Sequence, residues 1–293
     1  MSPRLPADLI DDLVDAGSRE HYADASLYDY EYRRRRADVA FYRELAKKRL
    51  GEAGGRILEI GAGSGRVTVP LARAGFEVVA VDSSPAMLAK LRARVAALPK
   101  AVARRITVVQ GDLRSFDVKQ TFPLVIAVFN VLEHLYTRVE VDACLRRVVA
   151  HLAPGGAFAF DVQLPDLAWL IRDPTKRWAR TRFTDPTTGR AMFYSTNHDY
   201  DPIGQIALIR LYYEPVDGKG PTRIVKLSQR KFFPAELEAL VAHAGLRMVE
   251  RYGDFGWKAL DGTAESQVLV CEHALARREP APSAPKQPRQ RRS

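Results

Sequence analysis

The sequence predicts a doubly wound α/β fold. A seven-stranded Rossmann-like sheet carries an N-terminal helical lid, and an antiparallel β insertion follows its fifth strand. Three observations predict it. The apolar run Ile57-Leu58-Glu59-Ile60 enters Gly61-Ala62-Gly63-Ser64-Gly65, three glycines at spacing two. A second apolar run, Val78–Val81, follows and ends in Asp82. After further strand and helix patterns, about seventy residues rich in turn signals separate Val162 from a helical pattern at Ala235–Ala244. Strand, glycine turn, helix, strand and terminal carboxylate make one nucleotide-binding half of a doubly wound sheet, so an adenosine-like ligand is expected.

Residues 1–50 read as helical. Asp8–Ala16 is a short helix, and Val39, Tyr42, Ala46 and Leu50 recur near helical spacing. Between them, Tyr22, Tyr28, Tyr30 and Tyr32 place four tyrosines in eleven residues. Packing against the sheet accounts for such a segment; so does a lid that turns a phenol toward a ligand. Arg33–Arg36 would fan around a helix at about 100° per residue.

The glycine turn has a chemical reading. Glycine tolerates positive φ and lets a ligand approach bare backbone. The helix opened by Gly65 offers free N–H groups and a positive dipole end. Asp82 can accept hydrogen bonds from two ribose hydroxyls. Arg66 stands where a dinucleotide G-x-G-x-x-G needs its third glycine, which disfavours a nicotinamide cofactor.

An ordered set follows: Gly111-Asp112-Leu113 after a strand at Ile106–Val109, then Leu124–Asn130 with Val131-Leu132-Glu133-His134-Leu135, then the turn Leu152-Ala153-Pro154-Gly155-Gly156 before a strand at Ala157–Val162. In order and spacing this set resembles the class I S-adenosylmethionine-dependent methyltransferases, over residues 55–163. The layout is most similar to small-molecule N-methyltransferases acting on amino sugars and glycine. The resemblance implies S-adenosyl-L-methionine as cofactor. It implies contacts from Tyr28, Tyr32, Glu59, Gly61, Ala62, Gly63, Ser64, Gly65, Asp82, Ser83, Met87, Gly111, Asp112, Leu113, Phe129 and Asn130. It makes Tyr32 the first inward phenol of the lid and Tyr28 the next. His134 is a base or acceptor orienter, or a helix-start histidine bonded to backbone; Glu133 reads as a helix N-terminal carboxylate favoured by the dipole.

The inserted stretch reads as a meander with strands near Arg180–Thr184, Ala191–Tyr200, Ile206–Glu214 and Thr222–Phe232, broken by Asp-Pro, Gly and Asp-Gly turns. Leu237, Leu240, Val241 and Ala244 then make a buried helical stripe ended by Gly245, before strands at Arg247–Tyr252 and Gln267–Glu272. The expected divisions are a lid over 1–50, cofactor-binding core over 51–165, substrate-covering insertion over 166–232, the rest of the core over 233–275, and a basic tail over 276–293.

Composition sets the bounds. The hydrophobic fraction of 46% suits a full core. Cys144 and Cys271 are the only cysteines, both in apolar contexts, which points to reduced thiols. No run resembles a signal peptide, and Phe122–Leu132 is too short to span a bilayer, so a soluble cytoplasmic protein with no membrane partner is expected. Half of the net charge of +10 lies in the Pro-rich segment Arg277–Ser293, with six basic residues and one acidic. Such a segment solubilises, or makes weak nucleic-acid contacts. Cysteines and histidines lack metal-ligand spacing, so no metal is expected. The expected function is methyl transfer to nitrogen or oxygen of a small molecule by a monomer or homodimer. The alternatives are RNA methylation anchored by the tail, and a cofactor-binding protein without turnover.

Overall fold

Helices α1 (Ala7–Ala23), α2 (Ala25–Tyr32) and α3 (Ala37–Leu50) precede the first strand. The structure, a computed structural model, describes residues 6–52 and 54–274; the basic tail and residues 1–5 lie outside that range. Helix α1 runs well past the expected Ala16. Helix α2 stops at Tyr32, so Arg33–Arg36 form a solvent-exposed turn and not the expected helical fan.

The core then alternates β1 (Arg56–Ile60), α4 (Thr68–Arg73), β2 (Glu77–Asp82), α5 (Pro85–Ala96), α6 (Lys100–Ala103), β3 (Ile106–Gln110), β4 (Phe122–Ala127), α7 (Arg138–His151) and β5 (Leu152–Gln163). A short helix α8 (Leu167–Leu170) leads into β6 (Trp178–Thr184), β7 (Ala191–Asp201), β8 (Ile206–Pro215) and β9 (Arg223–Arg230). The chain returns through α9 (Pro234–His243), β10 (Leu246–Tyr252) and β11 (Ser266–His273). The large sheet has the order β10-β11-β5-β4-β1-β2-β3, and β6–β9 form a separate antiparallel sheet in sequence order. In the large sheet only β11 runs against its neighbours. The order reverses between β1 and β4, which puts the ligand crevice of an open α/β sheet at their carboxyl ends.

The central strands are buried on both faces, as their continuous apolar runs require. One apolar cluster joins β4, β5 and β11 to α7 and α9; another joins the opposite face to α3 and α4. Phe41, Tyr42, Leu45 and Ala46 make α3 a layer of that second core, whereas α2 is tied to the glycine turn through Asp29 and Ser64. The Leu152–Gly156 turn proves to be part of β5. Leu152 already pairs with Phe122, and the register then jumps to Leu124 opposite Ala157, with Gly155 at φ 72° in the bulge.

The small sheet and the first two helices pack together. Gly17 lets α1 approach β9: a Cβ there would lie 2.5 Å from the Ser228 nitrogen. The Lys226 N–H donates to Glu20 (2.9 Å), and Leu27 joins the apolar face of β7, β8 and β9. Helix α2 is pinned on both sides. Asp29 accepts from Ser64 and Arg94 (2.5 Å each), and Glu31 accepts from Tyr213 (2.6 Å).

Candidate active site

The site has two parts, a crevice at the ends of β1, β2 and β4 and a cavity beside it. In the crevice, Gly61, Gly63 and Gly65 all have positive φ (69°, 56° and 85°). A side chain at Gly61 would strike Val131 at 2.5 Å, and one at Gly65 would strike Leu91 at 2.4 Å. At Gly63 it would meet nothing within 4 Å, so bare backbone faces open space there. Ala62 and Ser64 are buried, and Ser64 spends its hydroxyl on Asp29 of α2.

Asp82 closes the turn. Its carboxylate accepts from the N–H groups of Gly63 (2.7 Å) and Ser84 (2.8 Å). A carboxylate has about four acceptor positions, so room remains for ligand hydroxyls. Burial raises the pKa of Asp82, against the pull of those N–H groups. Ser83 is exposed beside it, and Met87 is buried in the first turn of α5. Glu59 is buried, bonded to the Thr68 hydroxyl (2.6 Å), and pushed up to about 7 by desolvation. Gly111 donates its N–H to the Asp82 carbonyl (3.0 Å), and Leu113 packs on the core. Asp112 is gripped by Arg114 through both oxygens (2.7 and 2.6 Å), which holds its carboxyl below the usual range. Backbone placement, open space at Gly63 and a terminal carboxylate together fit an adenosine-bearing cofactor.

Phe129 and Asn130 are both left-handed, at φ 72° and 61°. Two successive non-glycine residues in that region are strained. Asp161 of β5 holds them: its oxygens accept from the Phe129 N–H (2.9 and 3.1 Å) and the Asn130 N–H (3.2 Å), with Tyr42 donating to it from below (2.8 Å). Asp161 is buried and desolvation pushes it up to about 6. Arg66, the residue that breaks the dinucleotide pattern, pairs with buried Asp38 through both oxygens (2.8 and 2.6 Å) and lies 4.9 Å from the Phe129 ring centre.

The adjoining cavity encloses about 770 Å³. Tyr28, Tyr32, Phe129 and Asn130 line it, together with Tyr194, Leu211 and Leu227 of the small sheet. Arg35 reaches its rim, with its guanidinium 4.7 Å from the Phe129 ring centre. Tyr28 and Tyr32 pack with ring centres 4.7 Å apart, and Tyr32 meets Phe129 at 4.8 Å.

The two residues expected to act in catalysis are not paired with each other. Tyr32 contacts His21 (3.2 Å), and His134 contacts Tyr22 (2.6 Å). Tyr22, and not His134, lines the cavity. Behind it runs a chain whose direction can be worked out. The Val14 carbonyl only accepts, so Ser228 donates to it (3.0 Å). Tyr136 therefore donates to Ser228 (2.7 Å), and its oxygen takes the N–H of His134 Nδ1 (3.2 Å). That leaves Nε2 of His134 as an acceptor for the Tyr22 hydroxyl. Tyr22 thus turns only lone pairs to the cavity. Burial lowers both His21 and His134 to about 4 and raises Tyr22, so all are neutral near pH 7.

Glu133 differs from expectation. Helix α7 starts at Arg138 behind the capping box Thr137/Glu140, and Glu133 is a buried acceptor for Lys231 (2.7 Å) and the Gln163 N–H (2.7 Å). The sequence places Asp161 at the ligand end of an otherwise apolar strand and Tyr22 in the tyrosine-rich segment, without giving either a specific role. His21 and Lys231 were not anticipated as site residues, and Lys231 carries no local signal. Among the described residues no cluster of His, Cys, Asp or Glu could hold a metal, and no helix is long and apolar enough to cross a membrane.

Comparison with known proteins gives a consistent picture. The family model of a methyltransferase domain matches residues 57–156. The CcbJ methyltransferase from Streptomyces caelestis superposes with a TM-score of 0.67 at 30% identity, covering 82% of this chain and 94% of that one. The cypemycin N-terminal methyltransferase of a Streptomyces species is 35% identical over 38% of this chain and 43% of its own length. A dTDP-3-amino-3,6-dideoxy-α-D-glucopyranose N,N-dimethyltransferase from Streptomyces fradiae is 31% identical over 48% of this chain and 54% of its own. The chain thus spans about half the length of these two curated relatives.

Proposed function

We propose that this chain, which belongs to the class I S-adenosylmethionine-dependent methyltransferases, moves a methyl group to a small molecule held in the cavity, with an amine nitrogen as first choice of acceptor. S-adenosyl-L-methionine is the cofactor, and when bound it supplies an activated methyl on sulfonium sulfur. Gly61–Gly65, Asp82 and the Phe129–Asn130 turn would hold it. Tyr28 and Tyr32 would cover it and exclude water, so that orientation would carry most of the rate; that can contribute roughly 7–11 kcal/mol in favourable cases.

The observation that carries the reading is the acceptor-only oxygen of Tyr22 in an aromatic, lidded cavity. It takes a hydrogen bond from an N–H or O–H and turns the substituent's lone pair away from itself. An amine must be neutral to attack. The desolvation that holds His21 and His134 near 4 disfavours an ammonium ion in the same way. The amino-sugar relative named above supports the same choice.

A hydroxyl acceptor is the second reading, favoured by the Tyr22–His134 chain. The hydroxyl proton would pass to the Tyr22 oxygen as the Tyr22 proton passes to His134 Nε2. The experiment is a metabolite extract incubated with isotopically labelled methyl donor, followed by identification of the compound that gains label. Label on an amine supports the first reading and label on a hydroxyl the second. Label on RNA would contradict both.

A further inference from the structure

One wall of the cavity ends in three polar residues from distant parts of the chain: Gln163 at the end of β5, Gln229 in β9 and Lys231 just beyond it. Lys231 is almost wholly buried and spends its three protons. Its Nζ donates to Glu133 Oε2 (2.7 Å), Gln163 Oε1 (2.5 Å) and Gln229 Oε1 (3.0 Å). An ammonium group has no lone pair, so both glutamines must turn their amide oxygens toward it. The amide nitrogens then point the other way. Among the described residues neither Nε2 donates to any protein group, although both glutamines line the cavity.

We infer that Gln163 and Gln229, keyed by Lys231, form a donor fork that recognises an uncharged carbonyl oxygen on the methyl acceptor. This rests on the reading of the cavity as the acceptor site. The fork offers N–H groups only, so its partner must be an acceptor. A hydroxyl can offer the fork lone pairs too, but it must place its own proton elsewhere, whereas a carbonyl oxygen meets both N–H groups with two lone pairs and has no proton to place. A carboxylate would need a counter-charge when desolvated. The charge of Lys231 is matched by Glu133 at 2.7 Å, and Arg35 stands at the exposed rim. A carbonyl needs no counter-charge. Trp169 lines the same wall, stacked on His198 (ring centres 3.7 Å apart) and close enough to Lys231 to flank a planar group held there (5.7 Å from Nζ to its ring centre).

The fork makes the cavity selective before any chemistry occurs, so it can be tested by binding. The full chain is titrated by NMR with acetophenone, benzoate, benzyl alcohol and benzylamine, with and without S-adenosylhomocysteine. Acetophenone should bind tightest, by about tenfold over benzoate and benzylamine. The isosteric variants Gln163→Glu and Gln229→Glu replace a donor by an acceptor while keeping a partner for Lys231. Each should weaken acetophenone about fivefold to tenfold, the size of one lost hydrogen bond, and shift the ranking toward benzylamine. Benzoate as the tightest probe, absence of acetophenone binding, or unchanged affinities in both variants would each overturn the fork. Failure to bind S-adenosylhomocysteine would count instead against the methyl-transfer reading, because the probe ranking is also measured without it.

Discussion

The crevice and the cavity are built by different means. The crevice is local: Gly61, Gly63 and Gly65 lie within five residues, and the carboxylate that braces them ends the next strand. Its geometry follows from backbone conformations that only certain residues adopt. The cavity is assembled from segments far apart in the chain. Tyr22 finds His134 across 112 positions, and Lys231 finds Glu133 across 98. On the reading proposed above, the locally built crevice takes the cofactor and the long-range cavity takes the acceptor.

The sharpest way to break this division is Asp82→Ala. Loss of the carboxylate should weaken S-adenosylhomocysteine binding by more than about 100-fold in calorimetry, the scale of two hydrogen bonds to a charged group. An affinity like that of the wild type would mean that the crevice is not the cofactor site. On the cavity side, Tyr22→Phe removes the acceptor oxygen without changing the ring. Turnover of the labelled acceptor should fall by roughly 10- to 100-fold while cofactor affinity stays within a factor of two or so. His134→Ala should behave alike, because it acts through Tyr22. Equal losses of turnover and cofactor binding in these variants would erase the distinction.

Asp161→Asn probes the boundary between the two regions. One amide oxygen cannot serve the Phe129 and Asn130 N–H groups and Tyr42 together. Stability should fall by about 1–3 kcal/mol in denaturant titration, with a several-fold loss of cofactor affinity. A variant as stable as the wild type would show that the left-handed turn does not depend on this carboxylate.

A further effect concerns pH. In the folded chain His134 is held near 4, against an ordinary value of 6.5. Between those values the unfolded chain binds a proton that the folded chain refuses, so stability is lost as pH falls from about 6.5 to about 4. Compared with His134→Asn, the wild type should lose stability over that window and not above it. Parallel curves would mean that His134 is not buried as a neutral ring.

Much of the fold was legible because its signals are periodic or conformational. Continuous apolar runs marked β1, β2 and β4, and Asp-Pro, Gly and Asp-Gly turns marked the meander. The bulge at Ala153–Gly156 reads locally as a turn because Pro-Gly-Gly has the same signature in either setting, and pairing with Phe122 decides between them. At the site, His134 was found by motif, yet its partner was not. Four tyrosines stand close together in sequence, and only the docking of α1 against β9 selects Tyr22. The role of Glu133 was misread for the same reason: its cation lies 98 residues downstream in a stretch with no helical or turn signal. Arg66 read as a missing glycine, and its pairing with Asp38 depends on the packing of α3.

The most direct test of the central claim is an experimental structure of the chain with S-adenosylhomocysteine. The nucleoside should lie over Gly63, with its ribose hydroxyls within hydrogen-bond distance of Asp82 and its sulfur facing Tyr28, Tyr32 and Phe129. A nucleoside bound elsewhere, or helix α2 packed into that space in the complex, would contradict it.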